Sequence, residues 1–351
     1  GLFGTAKDFL DAVYQYPGGY ISDRIGTRRA LVLFSSLAGF GYLAYAFAPK
    51  WYYVFAGLAL VMAWSSMASP AIFALIAEHL PPNRRAMGFT VQSILKRVPA
   101  MAAPVLGGIL ITRAGLVHGI RLALFITAGL ALLTIVIQLT FYISSEHKRP
   151  DFSIGLKKQF RTMHPSLKRL LLSDILVRTC EGMVNVFIVL YAMNVTGVTA
   201  VEFGYLMAVQ MGTSIAVYLP AARLSDRFGR KPFVVATFIC FALFPIAIIL
   251  ARGFLTLMLA FVVGGLRETG EPSRKAMIVD LADPGRRGRT VGLYYLTRSL
   301  SITPAALVGG FLWKVNPDVP FLVACAIGLA GAAVFAATVE ASPDGKQAPR
   351  L

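Results

Sequence analysis

Gly19-Tyr20-Ile21-Ser22-Asp23-Arg24-Ile25-Gly26-Thr27-Arg28-Arg29 has a counterpart far along the chain, Ala222-Arg223-Leu224-Ser225-Asp226-Arg227-Phe228-Gly229-Arg230-Lys231. Each copy sets Ser-Asp-Arg, one apolar residue and Gly ahead of basic residues, and long apolar runs flank each. Outward from these stretches the correspondence holds at an offset of 202–203 residues. Pro17 matches Pro220, Pro70 matches Pro272, Glu78 matches Asp280, Arg84-Arg85 matches Arg286-Arg287, and Gly107-Gly108 matches Gly309-Gly310. Chance does not keep such a register, so the chain is two related halves, an arrangement typical of secondary transporters.

Of the 351 residues 56% are hydrophobic and only 15% charged, and the mean hydropathy is +0.67. A water-soluble domain has roughly 25% charged residues, and it could not hide this much apolar surface, whereas a bilayer accepts it. The net charge of +17 does not point to nucleic acid, because Lys and Arg sit in short loops between apolar runs and form neither one face nor one tail. Cys180, Cys240 and Cys325 are far apart, lie in apolar segments and have no metal-ligand spacing, so they read as buried thiols. No signal-peptide pattern opens the chain.

A helix needs about 20 apolar residues to cross the hydrocarbon core. Eleven such runs are expected: 2–22, 30–48, 52–78, 87–112, 121–143, 169–194, 202–224, 232–251, 254–280, 289–313 and 319–339. With the loop after the first run on the cytoplasmic side, the opposite side carries only Lys50, Arg113, Arg121, Arg252 and Lys314, and the other loop cations face the cytoplasm. The positive-inside rule selects that topology, with the linker and the C-terminus cytoplasmic. The longest connection, 144–168, is basic and contains Pro150, Pro165 and a short amphipathic stretch, Ile154–Met163. It separates an N-terminal bundle, 1–143, from a C-terminal bundle, 169–351.

The stretch Gly19–Arg29 resembles the cytoplasmic signature between the second and third helices of the major facilitator superfamily: Gly, three residues, Asp-Arg, any residue, Gly, two basic residues. Thr27 replaces the first basic residue, and in the second copy Ala222 replaces the leading Gly. The resemblance covers essentially the whole chain. It implies an all-α membrane protein of two pseudo-symmetric bundles that moves a solute by alternating access, here with eleven helices, the family's 2–6 and 7–12. By the repeat, Gly1-Leu2-Phe3 aligns with Gly204-Tyr205-Leu206, so the expectation is a chain without the family's first helix, as a partial sequence or as a true eleven-helix protein. The resemblance further implies a conformational role for Gly19, Asp23, Arg24, Gly26 and Arg28 and for Asp226, Arg227, Gly229 and Arg230. An Asp at a helix end can pair with Arg or face the N-terminus of a neighbouring helix. Such a clasp favours one state and breaks in the other; the plain alternative is loop solubility and topology.

A charge in mid-bilayer costs several kcal/mol and marks function by default. The mid-span set is Lys7, Asp8, Asp11, Lys96, Arg97, Arg178, Glu181, Arg267, Glu268, Glu271 and Arg298, a density that fits a water-filled cavity holding the solute and proton pathway. The i,i+4 pairs Lys7–Asp11, Asp174–Arg178 and Arg267–Glu271 could instead neutralise each other on one helix face. Arg97 and Arg298 occupy near-equivalent places in the halves. Glu181 and Glu268 have the best case for carrying a proton, since a partly dry carboxyl can load and release one near neutral pH.

The strongest pointer to the binding region is Gly264-Gly265-Leu266-Arg267-Glu268-Thr269-Gly270-Glu271-Pro272, because Gly and Pro within a span loosen the helix where a cavity or protein receives the backbone. Its counterpart, Trp64-Ser65-Ser66-Met67-Ala68-Ser69-Pro70, has small polar residues, so an asymmetric site is expected; a kink for packing alone is the plain reading. Pro104, Gly107 and Gly108 resemble the end of an exporter signature on the family's fifth helix, but Thr90, Pro99 and Ala103 stand where that signature has Gly. Close packing explains the same residues.

The expected function is secondary active transport, with proton-coupled efflux of small organic or drug-like molecules preferred. The alternatives are a proton-coupled uptake symporter for a polar metabolite and, from another class, a non-transporting receptor. No Ser-His-Asp set, metal spacing or phosphate loop indicates an enzyme. The expected partners are a small-molecule solute, protons and the lipid bilayer, with no nucleic acid, cofactor or metal, in a monomer of the bacterial inner membrane.

Overall fold

The structure is a computed structural model and describes residues 2–142 and 156–339. The start of the expected linker, the C-terminal tail and the side chains of Lys7, Asp8, Pro104 and Gly108 lie outside the described residues.

Every described element is helical, and the apolar runs appear in order. The first two are α1 (Leu2–Ile25) and α2 (Thr27–Phe47). The third is α3 (Tyr53–Met62), a π-helical turn (Ala63–Met67) and α4 (Ala68–His79). Then follow α5 (Arg85–Ala114), α6 (Leu116–Phe141), the short α7 (Leu156–Thr162) and α8 (Pro165–Asn194). The second half continues with α9 (Ala200–Phe228) and α10 (Arg230–Leu250). Its next segment breaks into α11 (Phe254–Leu266) and α12 (Glu271–Asp280). The last are α13 (Arg287–Ile302), α14 (Ala305–Val315) and α15 (Val319–Thr338). Seven segments are long and apolar enough to cross a membrane by length and hydropathy alone. The others carry several charges or are interrupted. Helices outrun the apolar runs at charged ends, as at Asp23-Arg24 of α1 and Arg85 of α5. Hydropathy drops where the chain leaves the hydrocarbon, whereas the backbone ladder continues into the interface.

The repeat reaches the backbone. A 3₁₀ turn, Pro82–Arg84, precedes α5, and another, Pro284–Arg286, precedes α13. Gly26 separates α1 from α2 with φ 88, and Gly229 separates α9 from α10 with φ 91. Only glycine takes that left-handed conformation without strain, which explains its fixed place after each Asp-Arg.

The fold divides into two compact units. The first holds residues 1–79, 95–163 and 282–297. Within it α2 packs on α6 and α3, and α1 packs on α4 and the π turn, around Ala30, Leu31, Phe34, Ala68 and Ala71. Exposed Leu130, Leu132, Leu133 and Val136 coat α6, as a lipid-facing helix requires. The second unit holds residues 80–94, 164–281 and 298–351. There α8 packs on α15 and α14, α10 on α15, and α9 on α11. Its core stacks Phe187 on Trp313 at 5.0 Å and sets Tyr191 edge-on to Phe321 at 5.1 Å.

Candidate functional site

In the first unit the Asp23 carboxylate accepts the backbone N–H groups of Gly288 (3.1 Å) and Arg289 (2.7 Å). These lie in the first turn of α13, where unpaired amides and the helix dipole attract an anion. Of the arrangements open to an Asp at a helix end, the helix N-terminus is thus present. The approach needs glycine on both sides: a Cβ on Gly19 would meet the Gly288 carbonyl oxygen at 2.0 Å, and one on Gly288 would meet Asp23 Oδ1 at 2.6 Å. Arg289 Nε donates to the Tyr16 hydroxyl at 2.9 Å, and Arg28 donates to the Leu139 carbonyl. Arg24 is exposed.

In the second unit the equivalent carboxylate, Asp226, takes one backbone N–H, that of Met87 in the first turn of α5. Among the described residues its buried Oδ1 has no hydrogen-bond partner. The position equivalent to Gly288 is Ala86, so a methyl group stands where Asp23's approach has none. Arg85 and Arg230 both pair with Asp280, and Arg230 also donates to the Pro82 carbonyl. Arg227 lies exposed over the Phe228 ring at 5.4 Å.

Seven charged side chains meet between α8, α12, α13 and the α11–α12 turn. Arg274 donates to Asp174 (2.6 Å) and Glu271 (2.7 Å). Arg178 pairs with Glu271 and, at 2.7 Å, with Glu181. Arg178 also lies 3.8 Å from Asp174, Arg267 lies 3.6 Å from Glu181, and Arg298 lies 3.5 Å from Asp174. Arg267 sits over the rings of Phe241 and Phe244 at 5.0 and 4.5 Å. The Asp174–Arg178 pair expected from spacing therefore exists. The Arg267–Glu271 pair does not form: the helix is interrupted between Leu266 and Glu271, so the two no longer share a face, and each turns to α8. Arg274 and Asp174, both essentially buried, are central here although sequence reading left them outside the candidate set. Their signals were the i,i+3 spacing of Arg274 to Glu271 and the i,i+4 spacing of Asp174 to Arg178.

The interruption is built by close approach. A Cβ on Gly270 would lie 2.3 Å from the Phe233 carbonyl oxygen, and one on Gly265 would lie 2.7 Å from that of Gln210. Pro272 at the start of α12 has no N–H to offer the broken ladder. In the first half the corresponding place is the π turn, a form found often at functional sites. It directs the Ser66 hydroxyl onto Asp11 at 2.6 Å, and Gln15 lies 3.4 Å from the same carboxylate. In the second half the Tyr218 hydroxyl donates to Glu268 at 2.8 Å. Each half thus sets a carboxylate against a hydroxyl at its helix break, with the acid on opposite partners: on α1 in one half, on the broken segment itself in the other.

Arg97 is half-buried and Lys96 exposed. Among the described residues, no neighbour lies within 4 Å of a Cβ placed on Gly107.

The profile of the Major Facilitator Superfamily matches residues 2–179 and again residues 170–350. The chain belongs to this superfamily. It is an integral, multi-pass, all-α membrane transporter, and the duplicated profile is the repeat read from Asp23 and Asp226. Sugar efflux transporter A of Dickeya chrysanthemi is 26% identical over 95% of this chain and 84% of its own length. Multidrug resistance protein MdtH of Proteus mirabilis is 23% identical over 89% of this chain and 78% of its own. The crystal structure of the E. coli fucose:proton symporter superposes with a TM-score of 0.82 over 97% of this chain and 90% of that one, at 13% identity. That likeness confirms the fold.

Proposed function

We propose that this transporter exports small organic or drug-like molecules by alternating access, in exchange for protons. The observation that carries the proton part is the pair of carboxylate–hydroxyl contacts at the helix breaks, Asp11 with Ser66 and Glu268 with Tyr218. Among the described residues the hydrogen-bond partners of Asp11 are neutral. Such a carboxyl can gain a proton without stranding a buried cation, the event that costs most inside a membrane. Glu181 and Glu271 stand differently, since each is paired with guanidiniums and losing either charge would add to the uncompensated positive charge there. We assign proton carriage to Asp11 on that ground and to Glu268 on its contact with the Tyr218 hydroxyl, and treat Glu181 as a counter-charge. The names of the two relatives support export over uptake. The clasps of Asp23 and Asp226 act as latches, holding one state while the carboxylates face helix N-termini and opening in the other.

The test uses proteoliposomes with a pH-sensitive dye in the lumen and a panel of sugars, aromatic carboxylates and amines. Solute-driven proton movement is expected, opposite in direction to solute flux and lost in Glu268→Gln or Asp11→Asn. Proton movement in the same direction as solute would support uptake symport instead. If both variants keep full gradient-driven transport, the assigned acids are wrong.

A further inference from the structure

We infer that the solute carries an anionic group, a carboxylate or its equivalent, and that it docks on Arg267 beside Arg178, displacing Glu181. This deepens the reading of the protein as a transporter and rests on it. The cluster holds four guanidiniums, Arg178, Arg267, Arg274 and Arg298, against three carboxylates, Asp174, Glu181 and Glu271. The excess within the cluster is one positive charge. An anion entering from solution brings the cluster to neutrality. A cation would double the excess, and a neutral solute would leave it. In a water-poor interior that difference is large.

The excess has a location. Asp174, Arg274, Glu271 and Arg178 form a closed core of direct contacts. That core holds α8 to α12 without help from Arg267. Arg267 lies 3.6 Å from its nearest acid oxygen, beyond the 2.7–2.9 Å usual for a charge-assisted bond. Its Nε donates to the Gly264 carbonyl at 2.9 Å, and among the described residues the one acid its fork meets is Glu181. Phe241 lies against both Arg267 and Arg178, and Phe244 against Arg267. Rings behind a guanidinium hold it flat and exclude water, the setting in which its planar fork binds carboxylate best.

Glu181 is the acid that can give way. It keeps 27% of its side chain exposed, against 0% for Asp174 and 7% for Glu271. It lies on the open rim, whereas the other two acids are enclosed. A solute carboxylate taking its place on Arg267 leaves the closed core intact.

The experiment uses full-length protein in detergent and in proteoliposomes with two size-matched sets of probes: benzoate, benzamide and benzylamine; gluconate, glucose and glucosamine. Binding is read by tryptophan fluorescence and flux by radiolabel. At least one anion is expected to bind tenfold or more tighter than its neutral and cationic counterparts, the effect of one hydrogen bond to a charged partner. Arg267→Gln should lose that preference at least tenfold with an unchanged thermal midpoint, and Arg267→Lys should recover part of it. Glu181→Gln should bind the anion more tightly, the opposite of what a purely structural Glu181 would give. The inference is overturned if no anion binds, if a neutral or cationic probe binds as well, or if Arg267→Gln keeps the preference. Flux of a neutral or cationic probe that ignores Arg267 leaves the transporter reading standing and removes this one. Arg267-dependent anion binding without any flux does the reverse.

Discussion

Replacing Gly288 by Ala should loosen the latch at Asp23, and replacing Ala86 by Gly should tighten its counterpart at Asp226. A Cβ on Gly288 would lie 2.6 Å from Asp23 Oδ1, 3.3 Å from its Cγ and 3.0 Å from the Gly19 carbonyl oxygen. Ordinary contact begins near 3.4 Å, so the carboxylate must withdraw by roughly 0.8 Å. The bond from the Gly288 N–H, already 3.1 Å long, is lost, and the 2.7 Å bond from Arg289 is strained. One hydrogen bond to a buried carboxylate is worth about 1.5–3 kcal/mol, or a shift of roughly 10–100-fold in the latched population. Hydrogen–deuterium exchange reads this without knowledge of the solute. Peptides covering 286–292 should lose protection by about that factor in Gly288→Ala and in Asp23→Asn. Ala86→Gly frees the space beside the orphaned Asp226 Oδ1, and peptides covering 84–90 should gain protection despite the roughly 1 kcal/mol helix cost of glycine. Unchanged protection in Gly288→Ala, or weaker protection of 84–90 in Ala86→Gly, would refute the reasoning that this one methyl sets the difference between the latches.

Asp174→Asn removes the charge of Arg274's 2.6 Å partner, though Glu271 stays at 2.7 Å; breaking a buried pair costs about 3–5 kcal/mol, and the thermal midpoint in detergent should fall, an unchanged midpoint counting against the closed core. Gly270→Ala drives a methyl to 2.3 Å from a backbone oxygen that cannot yield, so a loss of about 1–3 kcal/mol and a lower midpoint are expected, with wild-type stability contradicting the close approach. Ser66→Ala removes the 2.6 Å donor to Asp11. In a double-mutant cycle with Asp11→Asn the two should couple by at least about 1 kcal/mol, and additive effects would dissolve the pair.

The chain by itself determined the order of helical segments, the repeat, the family, and two of the places where helices break; the break between α13 and α14, within the run expected at 289–313, it did not show. All of these follow from local causes: the length of hydrocarbon to be crossed, the left-handed turn only glycine permits at Gly26 and Gly229, and the poor helix formed by Gly270 and Pro272. The amphipathic stretch Ile154–Met163 overlaps the short helix α7, Leu156–Thr162. Which charges face which was decided by the tertiary structure. Spacing joined Arg267 to Glu271, yet interruption of the helix turned them apart. Arg274 found Asp174 a hundred residues away, and Asp23 found the amides of Gly288 and Arg289. Electrostatic partners in a membrane interior are chosen by proximity in space, because a charge there must be met by whatever polar group the packing brings near. Sequence separation carries no record of that distance.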